Sequence, residues 1–285
     1  MPKVSSGRAG NAKPKLGQHF LIDAAVPARI VDALGDLSGS TVFEIGPGRG
    51  ALTTLLARRA RRLIAIETDR VLAAQLRMHF ALAANVEIIE GDILAVDFDT
   101  IFGPKPGSTR PGIAQQPEKV KVLGNLPYFI TSEILLRLFA FRKYFEMSVL
   151  MVQREVAERL AAKPGTSEYG LLSATAQLYA TVQELFTLPP EAFSPPPKVH
   201  STVVRLMTSD RLRNLHVPEA GFVDFLKLSF AQKRKTLWNN LKERYDNKAL
   251  RSAMEAAGIK SDARSEALSL EKTAALFRAL SNGKG

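Results

Sequence analysis

Cysteine is absent from the 285-residue chain. That excludes disulfides, thiolate metal sites and a cysteine nucleophile, and it fits a reducing compartment. No apolar run is long enough to span a bilayer, and no secretory apolar core is present. The expectation is a cytoplasmic protein with no membrane partner. No cluster of Asp, Glu and His accompanies His19 at ligand spacing, so no metal is expected. Acid is the scarce charge: 28 Asp and Glu face 39 Lys and Arg, a net charge of +11. A balance this basic favours a polyanionic partner, nucleic acid before membrane. The length leaves room for one large domain and a smaller one, and 46% apolar content supports a sizeable core.

The stretch Thr41–Leu52, TVFEIGPGRGAL, organises what is there. Val42, Phe43 and Ile45 form a short apolar run that stops at Gly46-Pro47-Gly48-Arg49-Gly50, and a helical pattern then begins. A glycine turn between strand and helix lets backbone N–H groups approach a ligand closely. Alone, the motif is equally an ordinary βα turn. Its context is more specific. A second apolar strand, Leu63-Ile64-Ala65-Ile66, ends on Glu67, an acid placed to accept both hydroxyls of a ribose. A third, Val86-Glu87-Ile88-Ile89, runs into Glu90-Gly91-Asp92, where a carboxylate can accept from an adenine amino group. The GxGxG spacing departs from the GxGxxG of dinucleotide sites, which points to an adenosyl ligand without a pyrophosphate, namely S-adenosylmethionine.

A fourth strand, Lys119–Leu123, delivers Gly124-Asn125-Leu126-Pro127-Tyr128-Phe129. Adenine N6 is a poor nucleophile because its lone pair is delocalised into the ring. Hydrogen bonds from that amine to the Asn125 side-chain oxygen and to a backbone carbonyl, with Leu126 the candidate, favour a pyramidal nitrogen. Pro127 stiffens the turn and removes one donor. Tyr128 offers a π-face to the base, worth about 1–3 kcal/mol per stacked base. No strong general base is needed, and most of the rate gain comes from alignment.

Together with QHFLID, ETD, FSPPPKVHS and FAQKRKTLWNNL, these motifs resemble the rRNA adenine N6-dimethyltransferase family along nearly the whole chain. The similarity is to its bacterial small-subunit (16S) branch, the kasugamycin-sensitivity type. The resemblance implies a Rossmann-like class I methyltransferase fold, with a mostly parallel seven-stranded sheet and a small all-α C-terminal domain. It implies S-adenosyl-L-methionine as cofactor. His19 and Leu21 would line its methionine side, Gly46 and Gly48 its turn, Glu67 the ribose and Asp92 the adenine, with Asn125 shared between cofactor and target. Phe193, within Pro189–Lys198, would cover the second face of the flipped base opposite Tyr128. A core aromatic under a loop is its bland alternative. The family more often has Asn where this chain has His19. The implied substrate is two adjacent adenosines near the 3′ end of 16S rRNA within an assembling 30S subunit, each dimethylated at N6 by a protein read as a monomer, since nothing demands more.

The remaining divisions are read from composition. Residues 1–15 carry Lys3, Arg8, Lys13 and Lys15 and no acid, and read as a flexible basic arm. Residues 16–208 form the methyltransferase domain and 209–285 a helical RNA-binding domain. The Pro/Gly-rich stretch from Asp97 to Glu118 reads as a loop without an element of its own. Asp23 is expected to cap a helix carrying Ile30, Val31 and Leu34, and Thr131 or Ser132 to cap the next after NLPY. A helix is expected from about Tyr169 to Thr181. Between Arg211 and Lys248, nine Lys/Arg face four Asp/Glu. Arg154, Lys198, Lys233, Arg234 and Lys235 are the candidate RNA contacts, with a solvated face as the alternative for Arg154. Two other readings are a large-subunit macrolide-resistance methyltransferase and a catalytically silent assembly factor. FAQKRKTL and the NLPY spelling oppose the first, and the intact Glu67, Asp92, Asn125 and Tyr128 oppose the second.

Overall fold

The computed structural model describes residues 19–103 and 119–282. The basic arm and most of the Pro/Gly-rich stretch lie outside these residues. Nine strands are described: β1 Phe20–Leu21, β2 Thr41–Ile45, β3 Arg62–Glu67, β4 Val86–Glu90, β5 Val120–Asn125, β6 Phe145–Gln153, β7 Ala180–Leu188, β8 Phe193–Ser194 and β9 Ser201–Thr208. Seven form one sheet in the order β4-β3-β2-β5-β6-β9-β7. Strands β2 to β6 are parallel, and β9 runs antiparallel to both β6 and β7. The chain leaves β2 toward β3 on one side and reaches β5 on the other. The strand order therefore reverses beside β2, and the crevice at that reversal opens at the carboxyl ends of β2 and β5.

The sequence of β2 explains its place. All five residues are buried, as a central parallel strand covered on both faces requires. Period-two alternation sends Phe43 and Ile45 into one apolar cluster with Phe98, Val122 and Phe145, and Val42 into the other with Ile30, Leu56 and Leu63. The first cluster runs on without a break into the C-terminal helices, through Phe222, Leu226, Leu237 and Leu241. Arg142 pairs with Glu219 at 2.6 Å, and the Tyr179 hydroxyl donates to the same carboxylate at 3.0 Å. The helical region is thus seated on the sheet layer by apolar burial and ion pairing together.

Four local expectations change. The helix Val26–Asp32 has Ala25 as its N-cap, and Asp23 instead accepts the Ala25 N–H at 2.9 Å in a turn before it. Ile30, Val31 and Leu34 are buried as the pattern requires. The helix Thr131–Ala140 has Ile130 at its N-cap, because the Thr131 hydroxyl bonds back to the Pro127 carbonyl. Asp97 opens a short helix, Phe98–Phe102, in the segment read as a loop. Its aromatic rings close on Phe43 and Phe145, with centroids 5.3–5.8 Å apart. The helix expected to reach Thr181 stops at Tyr179, and β7 begins at Ala180. That edge strand carries exposed polar residues on much of its length, so its apolar signal is weak.

Candidate active site

A cavity of about 410 Å³ lies at the strand reversal, lined by the glycine turn, the ends of β3 and β5, Asp92 and the segment His19–Ile22. The turn is built by backbone geometry. Gly46 and Gly48 have φ of +67° and +57°, a region that side chains with a Cβ enter at a cost. A Cβ on Gly48 would stand 3.0 Å from the Phe20 ring. On Gly46 it would meet only the Asn125 carbonyl at 3.8 Å, so this glycine leaves open space on the cavity side.

Glu67 ends β3 and is 3% exposed. Its Oε2 accepts the Gly48 N–H and its Oε1 the Asp69 N–H, both at 2.9 Å. A carboxylate oxygen carries two lone pairs. Each oxygen therefore keeps one for a ligand hydroxyl, which is what the two ribose hydroxyls of an adenosyl group need. Asp92 accepts the Leu94 N–H at 2.8 Å and also lines the cavity. Two spaced carboxylates, a glycine turn with open space and an apolar floor from Ile45, Ile66 and Ile93 fit S-adenosylmethionine. Among the described residues no group of three or more His, Asp and Glu is gathered as a metal site.

Glu44, one strand position from the turn, is buried at 1% exposure with both oxygens and the neighbouring Thr53 hydroxyl short of full hydrogen-bond geometry. Burial pushes its carboxyl up to about 8. The Thr53 hydroxyl beside it offsets part of the rise, and the charge of Glu67 adds to it. At neutral pH this acid is mostly protonated.

At the end of β5, Asn125 Nδ2 donates to the His19 carbonyl at 3.0 Å. With the amide nitrogen so engaged, Oδ1 is left as the acceptor. The Pro127 carbonyl is taken by the Ile130 N–H and the Thr131 hydroxyl. Tyr128 bonds through its hydroxyl to Ser201 Oγ at 2.5 Å. Burial raises the Tyr128 phenol, partly opposed by that bond, so it stays neutral. The His19 ring stacks on Tyr128 with centroids 5.5 Å apart and planes 30° apart.

The segment carrying His19 is held from afar. Strand β1 pairs antiparallel with β8, Phe20 opposite Ser194 and Leu21 opposite Phe193. The Ile22 N–H reaches the Ala192 carbonyl at 2.9 Å, and His19 Nδ1 meets the Pro195 carbonyl at 2.8 Å.

The structure thus brings His19, Leu21, Gly46, Gly48, Glu67, Asp92 and Asn125–Tyr128 to one cavity. Phe193 is not among its lining residues. It is 2% exposed in the second apolar cluster with Leu188 and Ala192, because its backbone pairs with β1 and turns the ring inward. Arg154, Lys198, Lys233, Arg234 and Lys235 are all exposed. Arg154 pairs with Glu158 at 3.3 Å, and Lys233 bonds the Ser167 carbonyl. Ser201, Pro195 and Glu44 were not singled out from sequence. For Glu44 a signal existed, an acid set within the apolar run Val42-Phe43-Ile45 of a buried strand.

The chain matches the family model described as ribosomal RNA adenine dimethylase over residues 9–282. A protein named ribosomal RNA small subunit methyltransferase A from Koribacter versatilis is 56% identical over 99% of this chain and 100% of its own length. The protein of that name from Geobacter metallireducens is 39% identical over 96% and 97%. Among solved structures, a dimethyladenosine transferase from Plasmodium falciparum superposes with a TM-score of 0.78 at 25% identity, over 93% of this chain and 98% of that one. The 23S rRNA methyltransferase ErmE gives 0.68 at 25% identity, over 92% and 99%. A family match running almost from end to end, on a chain whose cavity holds the motifs that carry the likeness, leaves one assignment: this chain belongs to the ribosomal RNA adenine dimethylases.

Proposed function

We propose that the chain transfers methyl groups from S-adenosylmethionine to N6 of two adjacent adenosines in a loop near the 3′ end of small-subunit rRNA, giving dimethyladenosine at each. The relatives named as small-subunit methyltransferases support the choice of subunit. The observation that carries the chemistry is the Asn125 amide, whose nitrogen is tied to the His19 carbonyl so that its oxygen is the acceptor for an adenine amine. The cofactor supplies an electrophilic methyl on a sulfonium. Glu67 and Asp92 hold its ribose and adenine, the glycine turn its methionine end, and Asn125 with the Leu126 carbonyl orients the target nitrogen. Tyr128 stacks the base, which must leave its helix to reach the cavity. Holding nitrogen, methyl and sulfur in line supplies most of the rate.

The division into a methyltransferase domain, 16–208, and a helical RNA-binding domain, 209–285, belongs to this reading. So do phosphate contacts by Arg154, Lys198, Arg234 and Lys235, with Lys233 exchanging its Ser167 bond for a phosphate. Phe193 is buried with Leu188 and Ala192 where β8 pairs with β1. The working partner is an assembling 30S particle in the cytoplasm, met by a monomer.

The test is methyl transfer from labelled S-adenosylmethionine to immature 30S particles, 50S particles and free adenosine, with Asn125→Ala alongside. Dimethyladenosine on 30S only, lost in the variant, is the expected result. Label on 50S refutes the choice of subunit. Tight 30S binding without label refutes catalysis and leaves an assembly factor.

A further inference from the structure

The target side of the cavity has one feature that the proposed chemistry does not use, the His19 side chain. Its carbonyl orients Asn125, but any residue supplies a carbonyl. The imidazole makes contacts of its own. Its Nδ1 lies 2.8 Å from the Pro195 carbonyl. A carbonyl only accepts, so Nδ1 carries the hydrogen, and this bond fixes the ring's tilt. In that orientation the ring stacks on Tyr128 at 5.5 Å and 30°. Tyr128 is therefore restrained twice, at its hydroxyl by Ser201 and on one face by His19.

We infer that the His19 imidazole is a positioning residue for the target base: it backs one face of Tyr128, so that the ring presents its other face to the adenine. The inference rests on the proposed function and deepens it, because it moves the His19 side chain from the cofactor to the target side. The physical reason is preorganisation. A tyrosine on a short turn, here Tyr128–Ile130, has two side-chain torsions to lose when a base stacks on it. A ring already held at its edge and on its back loses less. Two aromatic groups at this separation attract beyond their buried area. Phe193 does not compete for the role, being 2% exposed and outside the cavity. The Asn that the family more often carries at this position would supply a hydrogen bond but no ring.

Rings and hydrogen bonds are separated by three variants of the full chain, His19→Phe, His19→Asn and His19→Ala. Phe keeps the ring and loses the Pro195 bond, Asn keeps a donor and loses the ring, and Ala loses both. The readouts are single-turnover methyl transfer to immature 30S particles and the equilibrium Kd for S-adenosylmethionine without RNA. A ring that backs Tyr128 acts on the transfer rate and leaves cofactor affinity alone. The expected result is a rate about fivefold lower in the Ala and Asn variants, the change that an aromatic pair worth about 1 kcal/mol gives. The Phe variant should return to within about twofold of the parent, and the cofactor Kd should stay within about twofold throughout. Should the Ala variant fail to fold, the comparison of Phe with Asn carries the same test. An active parent with Asn equal to Phe overturns the inference alone, as does a cofactor Kd that rises in step with the loss of rate. A parent that methylates no 30S particle overturns the proposed function and this inference with it.

Discussion

Replacing Glu44 by Gln tests the electrostatics under the glycine turn. The carboxyl has an ordinary value of 4.5 and is pushed to about 8 by burial, with Glu67 adding to the rise. In the unfolded chain it ionises near 4.5, whereas in the folded chain it keeps its proton to about 8. Between those values the folded state binds more protons than the unfolded one, so stability falls as pH rises. Each pH unit in that window costs about 1.4 kcal/mol. At pH 7 the loss relative to acid conditions is about 3 kcal/mol, and above pH 8 it levels off near 5 kcal/mol. Gln has similar shape and no proton to lose. Other groups titrate alike in both proteins, so the difference between the two isolates this site. Urea unfolding at pH 5, 6, 7 and 8 is the assay. The Gln variant should gain on the parent steadily from pH 5 to 8, by several kcal/mol in all. Parallel stability curves would show that Glu44 is ionised or solvated in the folded protein, and the account of its burial would be wrong.

Three further outcomes follow from particular contacts. Gly48→Ala puts a Cβ 3.0 Å from Phe20 at a φ of +57°; with strain of about 1–2 kcal/mol borne by the turn, calorimetry should show cofactor Kd raised about tenfold or more. Phe98→Ala removes a fully buried ring that meets Phe43, Phe141 and Phe145. It should cost about 3–5 kcal/mol in urea unfolding, while the protein that remains folded keeps its cofactor affinity. Neutralising Lys233, Arg234 and Lys235 together should weaken 30S binding and flatten its dependence on log salt by up to about 3. An unchanged salt slope would place the RNA elsewhere.

The parallel half of the sheet was legible because its strands are short apolar runs ending in glycine or acidic signatures. Thr41–Ile45, Arg62–Glu67 and Val86–Glu90 each fall within a residue or so of expectation. Edge strand β7 was not, since an exposed strand mixes polar with apolar residues and its neighbour reads as a continuing helix. The Phe98–Phe102 helix was hidden by the glycines and prolines after it, although its aromatic spacing is helical. At the site, residues of one βα unit announced themselves through local spacing. The bonds from Tyr128 to Ser201 and from His19 to Pro195 join segments 73 and 176 positions apart. No local pattern encodes such a pairing, and Phe193 illustrates the same limit: its motif marks the segment, while the pairing of β8 with β1 decides which way the ring faces.

The pairing of β1 with β8 beside the cavity also sets a timetable for synthesis. His19 leaves the ribosome 176 residues before the Pro195 carbonyl that holds it. At roughly 5–20 residues per second, that is a wait on the order of 10 s or more. The glycine turn and its two acids are all translated within the first third of the chain, ahead of Ser201, which holds the Tyr128 hydroxyl. A nascent chain therefore carries the pieces of its cofactor pocket well before the segment holding His19 can be fastened, by a short strand that emerges just before β9.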